Sequence, residues 1–166
     1  MLKEVMRMRI VSPVLAPHYC SEEIEVGGYK LPRGTAIYMH AWQLAKDPDV
    51  WENPEVFNPD RWLKNPRNEG LTFHGFEKRK SVEHYKFIPF SLGPRTCPGY
   101  SFAKVTLFLQ AAALMQSFEW SSPKAPLDLT ECWGLTIMPD RHAARGVIFA
   151  KPRKSASVAH PLEGDE

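Results

Sequence analysis

The sequence predicts an α+β fold, mainly α with small β-sheets. Two stretches, 1–11 and 100–118, space their apolar residues with a helical period, while short β-branched and aromatic runs over 14–40 are cut by glycine and proline. Between them, 47–86 is rich in proline and aromatic residues and shows neither period. At 166 residues, 43% of them hydrophobic, the chain has the size of one globular core. A net charge of +2 lacks the concentrated basic stripe of a phosphate reader, so no nucleic-acid partner is expected. There is no apolar run long enough to cross a bilayer, and therefore no membrane span in this chain. Three cysteines, Cys20, Cys97 and Cys132, form no CxxC pair and leave one over from any pairing, which fits reduced thiols in an intracellular setting.

The first helix is marked by Leu2, Val5, Met6 and Ile10 and is stopped by Pro13. A helix that opens at Met1 with no capping residue before it reads as a truncation. Over 14–40, Glu23-Ile24-Glu25-Val26 and Thr35-Ala36-Ile37-Tyr38 read as strands, with turns at Gly27-Gly28 and Pro32-Arg33-Gly34. The segment 47–86 holds Pro48, Pro54, Pro59 and Pro66 and the charged tract Glu77-Lys78-Arg79-Lys80; an irregular stretch of that length needs function or an adjacent surface to organise it. In 100–118, Phe102, Val105, Leu109, Ala112, Ala113 and Met115 leave a thin polar stripe of Lys104, Gln110 and Gln116, so this helix is expected to be buried on most sides. Short strands follow at 135–137 and 146–149. A polar tail, 151–166, is expected to be disordered and to lie outside the unit formed by 1–150.

The informative segment is Phe87-Ile88-Pro89-Phe90-Ser91-Leu92-Gly93-Pro94-Arg95-Thr96-Cys97-Pro98-Gly99, which runs straight into the apolar helix. Unpaired amides and the positive end of the helix dipole favour a thiolate there, and Pro98 suits a first helical position. Such a sulfur can serve as a nucleophile, a zinc ligand or the axial ligand of a haem. Zinc needs further cysteines or histidines at close intervals, and the nearest, His84, stands alone. A nucleophile needs a partner base, and no histidine here has a recognisable relation to Cys97. Haem needs a single ligand from the chain, donors around the sulfur and a cation for its propionates. Gly93 and Gly99 allow close backbone approach, and Arg95 offers a bidentate fork. Cys20 and Cys132 carry no such pattern and read as inert thiols.

From Phe90 to Gly99 the pattern Phe-x-x-Gly-x-Arg-x-Cys-x-Gly resembles the signature loop of the cytochrome P450 family, the haem-thiolate monooxygenases. Glu4-Val5-Met6-Arg7 is similar to the family's Glu-x-x-Arg helix pair, and Phe57-Asn58-Pro59-Asp60-Arg61-Trp62 to its Pro-x-Arg element, in the same order. Alone, an i, i+3 pair of this kind is a solvated contact worth about 0.2 to 0.5 kcal/mol. The resemblance runs from residue 4 to about 151 and corresponds to roughly the last third of a family member, making this a C-terminal fragment of the cytochrome P450 fold.

The resemblance implies haem b, iron protoporphyrin IX, with Cys97 as the axial ligand to iron, Phe90, Gly93 and Gly99 shaping the ligand loop, and Arg95 and His18 meeting the propionates. Glu4, Arg7 and Arg61 become a buried structural charge triad; no residue of the chain is assigned as catalytic. The implied activity is that of an oxidoreductase that puts one atom of dioxygen into a small apolar substrate. Electrons would come from an NAD(P)H-dependent reductase or other donor. Substrate contacts would come from 11–15 and from a late turn at 133–137, and Lys78, Arg79, Lys80, Lys86 and Lys104 would offer a basic face to an acidic redox partner. The chain departs from the family in lacking an anchor, the helix that holds the other haem face and a distal Ala-Gly-x-x-Thr-like stretch. It is therefore expected to be inactive alone, with a full-length parent at the endoplasmic reticulum membrane. A haem-thiolate isomerase or dehydratase needing no reductase, a non-catalytic haem-binding remnant and, at a distance, a thiol hydrolase are the other classes open.

Overall fold

The computed structural model describes residues 1–64, 68, 71, 85–122, 130–132, 134, 136–139 and 148–153. The chain opens with α1 (Leu2–Met8), shorter than the stretch 1–11 because Arg9 leaves the helix at φ −122°, ψ 67°, although its N–H still reaches Val5 O at 2.8 Å. The buried positions of α1 are Glu4 and Arg7, while Val5 is exposed. Apolar spacing located this helix; a charged pair occupies its inward side.

Next come β1 (His18–Tyr19), β2 (Ile24–Val26), β3 (Tyr29–Leu31) and β4 (Ala36–Ile37). β2 and β3 form a hairpin whose two-residue loop, Gly27 and Gly28, stands at φ +57° and +83°. Both central residues of a type I′ turn need this left-handed backbone, which glycine adopts without steric cost. β1 pairs with β4, and Cys20 N–H to Thr35 O and Gly34 N–H to Cys20 O prolong the ladder.

A second helix, α2 (Ala41–Lys46), has no counterpart in the expectations from sequence. It is six residues long, too short for a period, and its signals are local: His40 Nδ1 accepts the Gln43 N–H at 3.1 Å as a cap, and Ala41 and Ala45 bury a small i, i+4 face. After a single-turn 3-10 segment at Pro59–Trp62 and another at Gly93–Arg95, α3 (Tyr100–Ser117) is the long helix. It stops one residue short of 118, since Phe118 turns extended and starts β5 (Phe118–Ser121). The remaining strands are β6 (Glu131–Cys132), β7 (Met138–Pro139) and β8 (Phe149–Pro152).

The fold is α+β, with four two-stranded antiparallel sheets among the described residues. Three expectations need correction. Lys151 and Pro152 are not the start of a disordered tail: they pair with Glu119 and Phe118 in the β5–β8 ladder, and Arg153 N–H continues it to Ser117 O. Backbone pairing, which a polar composition does not report, carries order past 150. The strand expected at 135–137 lies at β7 instead; Leu135, Gly146, Val147 and 154–166 are outside the described residues.

The third correction concerns α3, in which Tyr100 alone is buried while Phe102 and Phe108 are 77% and 63% exposed. An all-round apolar helix reports the environment it prefers. Burial also requires elements packed on each side, and here α3 meets β5 and shares a narrow crevice with Leu2, Met6 and Phe90.

Two apolar clusters make the core. One gathers Ile10, Leu15, Ala41, Ile88 and Ile137; the other gathers Trp51, Trp62, Leu71 and Phe87. Beside the second lies Glu4, fully buried, whose carboxylate accepts from Arg7 Nε and Nη2 (3.1 and 2.9 Å), Asn58 N–H (3.1 Å), Arg61 Nε (3.0 Å) and Trp62 Nε1 (2.9 Å). Arg7 also donates to Ala45 O and Pro54 O, both at 2.7 Å, and Arg61 to Glu52 O, Asn53 O and Val56 O. The two guanidiniums thereby hold α2 and the loop before the 3-10 turn onto α1.

Burial by itself pushes the Glu4 carboxyl up, but the donors from Arg7, Asn58 and Trp62 and the Arg7 charge outweigh it and hold the group below its ordinary 4.5. A folded-state value below the unfolded one gives stability that is complete above 4.5 and is lost as pH falls through the lowered value. Glu4→Ala, which leaves two buried cations unpaired, is expected to cost about 3 to 5 kcal/mol in denaturant titration. Glu4→Gln should abolish this part of the acid dependence, and an unaltered acid limb would refute the role given to Glu4.

Candidate functional site

The cysteine loop is anchored before it begins. Phe87 sits in the tryptophan cluster, edge-on to Trp62 with ring centres 4.8 Å apart, and Ile88 sits in the other cluster, so consecutive residues are held by both cores. The chain then turns: Ser91 N–H reaches Ile88 O at 3.1 Å, with Ser91 at φ +64°. Gly93 follows at φ +65° and opens the 3-10 turn, which closes through Thr96 N–H to Gly93 O at 3.0 Å. Cys97 N–H donates to Phe90 O at 2.9 Å and shuts the base of the loop. Phe90 and Tyr100 meet edge-on at 5.3 Å, joining the loop's first arm to α3.

The sulfur-bearing residue lands two positions ahead of the cap Gly99, and α3 starts at Tyr100, so Pro98 precedes the first helical position expected for it. The Tyr100 N–H is already directed to Cys97 O at 3.2 Å. Cys97 is exposed. A side chain at Gly99 would stand 3.8 Å from Cys97 Sγ; glycine there leaves the flank of the sulfur clear. Gly93 has open space around a would-be Cβ, so its requirement is the left-handed backbone and not room.

The structure gathers Phe90, Gly93, Arg95, Cys97 and Gly99 in one loop, with Arg95 exposed. It gathers Glu4, Arg7 and Arg61 in a separate, buried cluster. His18 lies in β1, half-buried, and its Nε2 is a buried atom with no hydrogen-bond partner among the described residues; Thr96 Oγ1 is another. Of the basic residues, Lys86 is not on an open face: it is buried, with Nζ 5.1 Å from the Trp51 ring centre, because its apolar stem packs in the core. Lys104 is exposed, and its charge, after burial, helps hold the Lys3 amine below its ordinary value. Lys78, Arg79, Lys80, His84, Trp133 and Leu135 are outside the described residues.

Sequence reasoning missed Trp62 and Phe87 as partners in the site. Trp62 stood next to Arg61 in a quoted motif, yet nothing in a linear pattern says where an indole N–H points. Ser91's positive φ had no signal either, since serine is rarely left-handed.

The donor set matches a group that asks for one protein ligand. Among the described residues no three His, Cys, Asp or Glu stand together as the ligands of a bare ion would. The loop presents a single accessible sulfur with a cleared flank, as such a group requires.

Residues 1–144 match the cytochrome P450 family. The chain is 35% identical over 161 residues to vinorine hydroxylase of Rauvolfia serpentina, covering 96% of this chain and 31% of that protein. Against a nicotine N-demethylase of Nicotiana tomentosiformis it is 38% identical over 137 residues, covering 82% and 24%. Its backbone is similar to a zebra fish cytochrome P450 solved with abiraterone, at TM-score 0.72 and 33% identity, covering 93% of this chain and 32% of that one. The chain thus spans about a third or less of the length of these relatives.

Gly93→Ala is expected to destabilise the loop by about 1 to 2 kcal/mol, the cost of a left-handed backbone with a Cβ. Faster hydrogen exchange at the Cys97 amide, with α3 amides unchanged, is the readout; equal exchange in both proteins would contradict the conformational requirement.

Proposed function

The chain belongs to the cytochrome P450 family, whose cofactor is haem b, and from that premise we propose that it forms the cysteine-ligand side of a haem-thiolate monooxygenase. The observation that carries the proposal is the loop closed by Cys97 N–H to Phe90 O, which leaves one exposed thiol with a cleared flank at the approach to α3. Cys97 would ligate the iron. Phe90, Gly93 and Gly99 would shape the ligand's surroundings, and Arg95 and His18 would meet the propionates.

Haem so bound supplies the oxygen chemistry: one atom of dioxygen enters the substrate and the other leaves as water, with two electrons from an NAD(P)H-dependent reductase or other donor and two protons. The chain's own work is positional. The closed loop holds the sulfur, and the Glu4 cluster holds the segment from which the loop departs. Because the chain spans about a third or less of its relatives' length, monooxygenase activity would belong to a whole protein that includes this part.

A small organic substrate is supported by the names of relatives, vinorine hydroxylase, nicotine N-demethylase and indolin-2-one monooxygenase. In the two substrate-facing segments, Ile137 N–H donates to Val11 O at 2.8 Å, so they lie side by side. Leu15 and Ile137 are committed to the core, and among the described residues of these segments Val11 and Val14, both exposed, would be the apolar contacts available to a substrate. Lys104 is the described residue that remains suited to an acidic redox partner. Among the described residues no helix is long and apolar enough to cross a membrane, so placement at the endoplasmic reticulum would rest on the parent protein.

The test is titration of the purified chain with ferric haem. One equivalent should bind and, once reduced under carbon monoxide, give a thiolate-type Soret band. Cys97→Ser and Cys97→Ala should lose the band, while Cys20→Ser and Cys132→Ser keep it. A folded chain that binds no haem, or a spectrum unchanged by Cys97→Ala, overturns the proposal.

A further inference from the structure

We propose that Trp62 is a positioning residue for the Cys97 loop, acting through its ring on Phe87 while its N–H completes the coordination of Glu4. Four contacts of one side chain carry this. The indole N–H donates to Glu4 Oε2 at 2.9 Å, an oxygen otherwise bonded by Arg7 Nε. One side of the ring system meets Trp51 at 5.4 Å, and Phe87 meets it edge-on at 4.8 Å. Lys3 Nζ stands 5.5 Å from the ring centre and donates to Leu71 O. Trp62 is buried, as are Trp51, Phe87 and Leu71, so these contacts are not traded for water.

The path from Trp62 to the sulfur is short. Phe87 precedes Ile88, whose carbonyl takes the Ser91 N–H, and Phe90, whose carbonyl takes the Cys97 N–H. Those two bonds form one arm of the loop, and the arm's direction is set by where the Phe87 ring is clamped. Edge-to-face pairs are directional, so moving or removing the Trp62 ring lets Phe87 swing, and the Phe90 carbonyl with it. Lengthening the bond to Cys97 then frees a loop that already holds Ser91 and Gly93 in left-handed backbone. Trp62 does not touch the sulfur and is not catalytic. It couples the charge cluster on α1 to the site, which neither Arg7 nor Arg61 does by a direct bond to residues 87–97.

The importance of the effect rests on the haem proposal, but the effect itself is measurable without haem. In the purified chain, amide hydrogen exchange at Cys97 reports the bond to Phe90 O. Trp62→Leu is expected to speed that exchange about tenfold or more relative to amides inside α3, a local opening and not a global one. Trp62→Phe keeps a ring against Phe87 and should restore Cys97 protection to within about threefold, although loss of the donor to Glu4 should weaken the folding equilibrium about 10- to 100-fold. Phe87→Leu removes the contact from the other side with the Glu4 donor intact, and it should reproduce the Trp62→Leu exchange; it also decides the matter if Trp62→Leu does not fold. With haem added, Trp62→Leu and Phe87→Leu should lower the fraction giving the thiolate-type carbon monoxide spectrum, and Trp62→Phe should not. Unchanged Cys97 exchange in folded Trp62→Leu or Phe87→Leu overturns the proposal, as does Trp62→Phe exchanging as fast as Trp62→Leu. If the exchange pattern holds but the parent chain binds no haem, the haem assignment fails and the positioning role stands.

Discussion

A carboxylate placed out of reach of water must be surrounded by donors, and in this protein that requirement at Glu4 organises much of the described fold. Burial alone would drive the group toward its neutral form. Two guanidiniums, a backbone amide and an indole N–H keep it charged instead, and three of these donors, from Asn58, Arg61 and Trp62, bring one short turn onto α1. Arg7 and Arg61 have donors to spare, and those reach the carbonyls of Ala45, Glu52, Asn53, Pro54 and Val56. A segment with hardly any regular structure is thereby given fixed backbone partners. Over its described part, 47–64, this supplies what an irregular stretch inside a compact unit needs, partners besides a ladder of its own for its polar groups.

The cysteine loop depends on the same hub at one remove. Its anchoring residues, Phe87 and Ile88, enter different apolar clusters, and the first of these clusters shares Trp62 with the Glu4 site. Between those anchors and the cap of α3 the backbone twice takes a left-handed conformation, at Ser91 and Gly93, and is closed by the Cys97–Phe90 bond. The strain at Ser91, a residue with a Cβ, persists only where the surroundings over-determine the chain. The result is a thiol held by its own backbone on one side and left accessible on the other.

That division of labour matches the reach of the chain. Within this third of its relatives' length lie the sulfur, its supporting loop and the charge cluster, together with a long helix that keeps large apolar side chains in the open. The exposed face of α3 and the orphaned Nε2 of His18 are both groups whose physical chemistry calls for a partner. A protein part that grips a prosthetic group from one side would present features of this kind.

Sequence and structure contributed different things. Resemblance to a family's motifs pointed to the loop from Phe90 to Gly99, the Glu4/Arg7 pair and the arginine of the Pro-x-Arg element, because such motifs depend on residue type at short, fixed separations. Apolar periodicity located α1 and α3, since a helix repeats within a few residues. It failed on α2, which is shorter than two turns and announced only by a histidine cap and two alanines. It also misjudged burial at α3, which was expected to be covered on most sides and is open. Only the tertiary structure decided which oxygen each donor meets, that Lys86 is inside, that Lys151 and Pro152 pair with β5, and that Trp62 stands between the charge cluster and the loop. Those facts join residues tens of positions apart, and a contact of that range is set by the packing of the whole chain rather than by any local pattern of its residues.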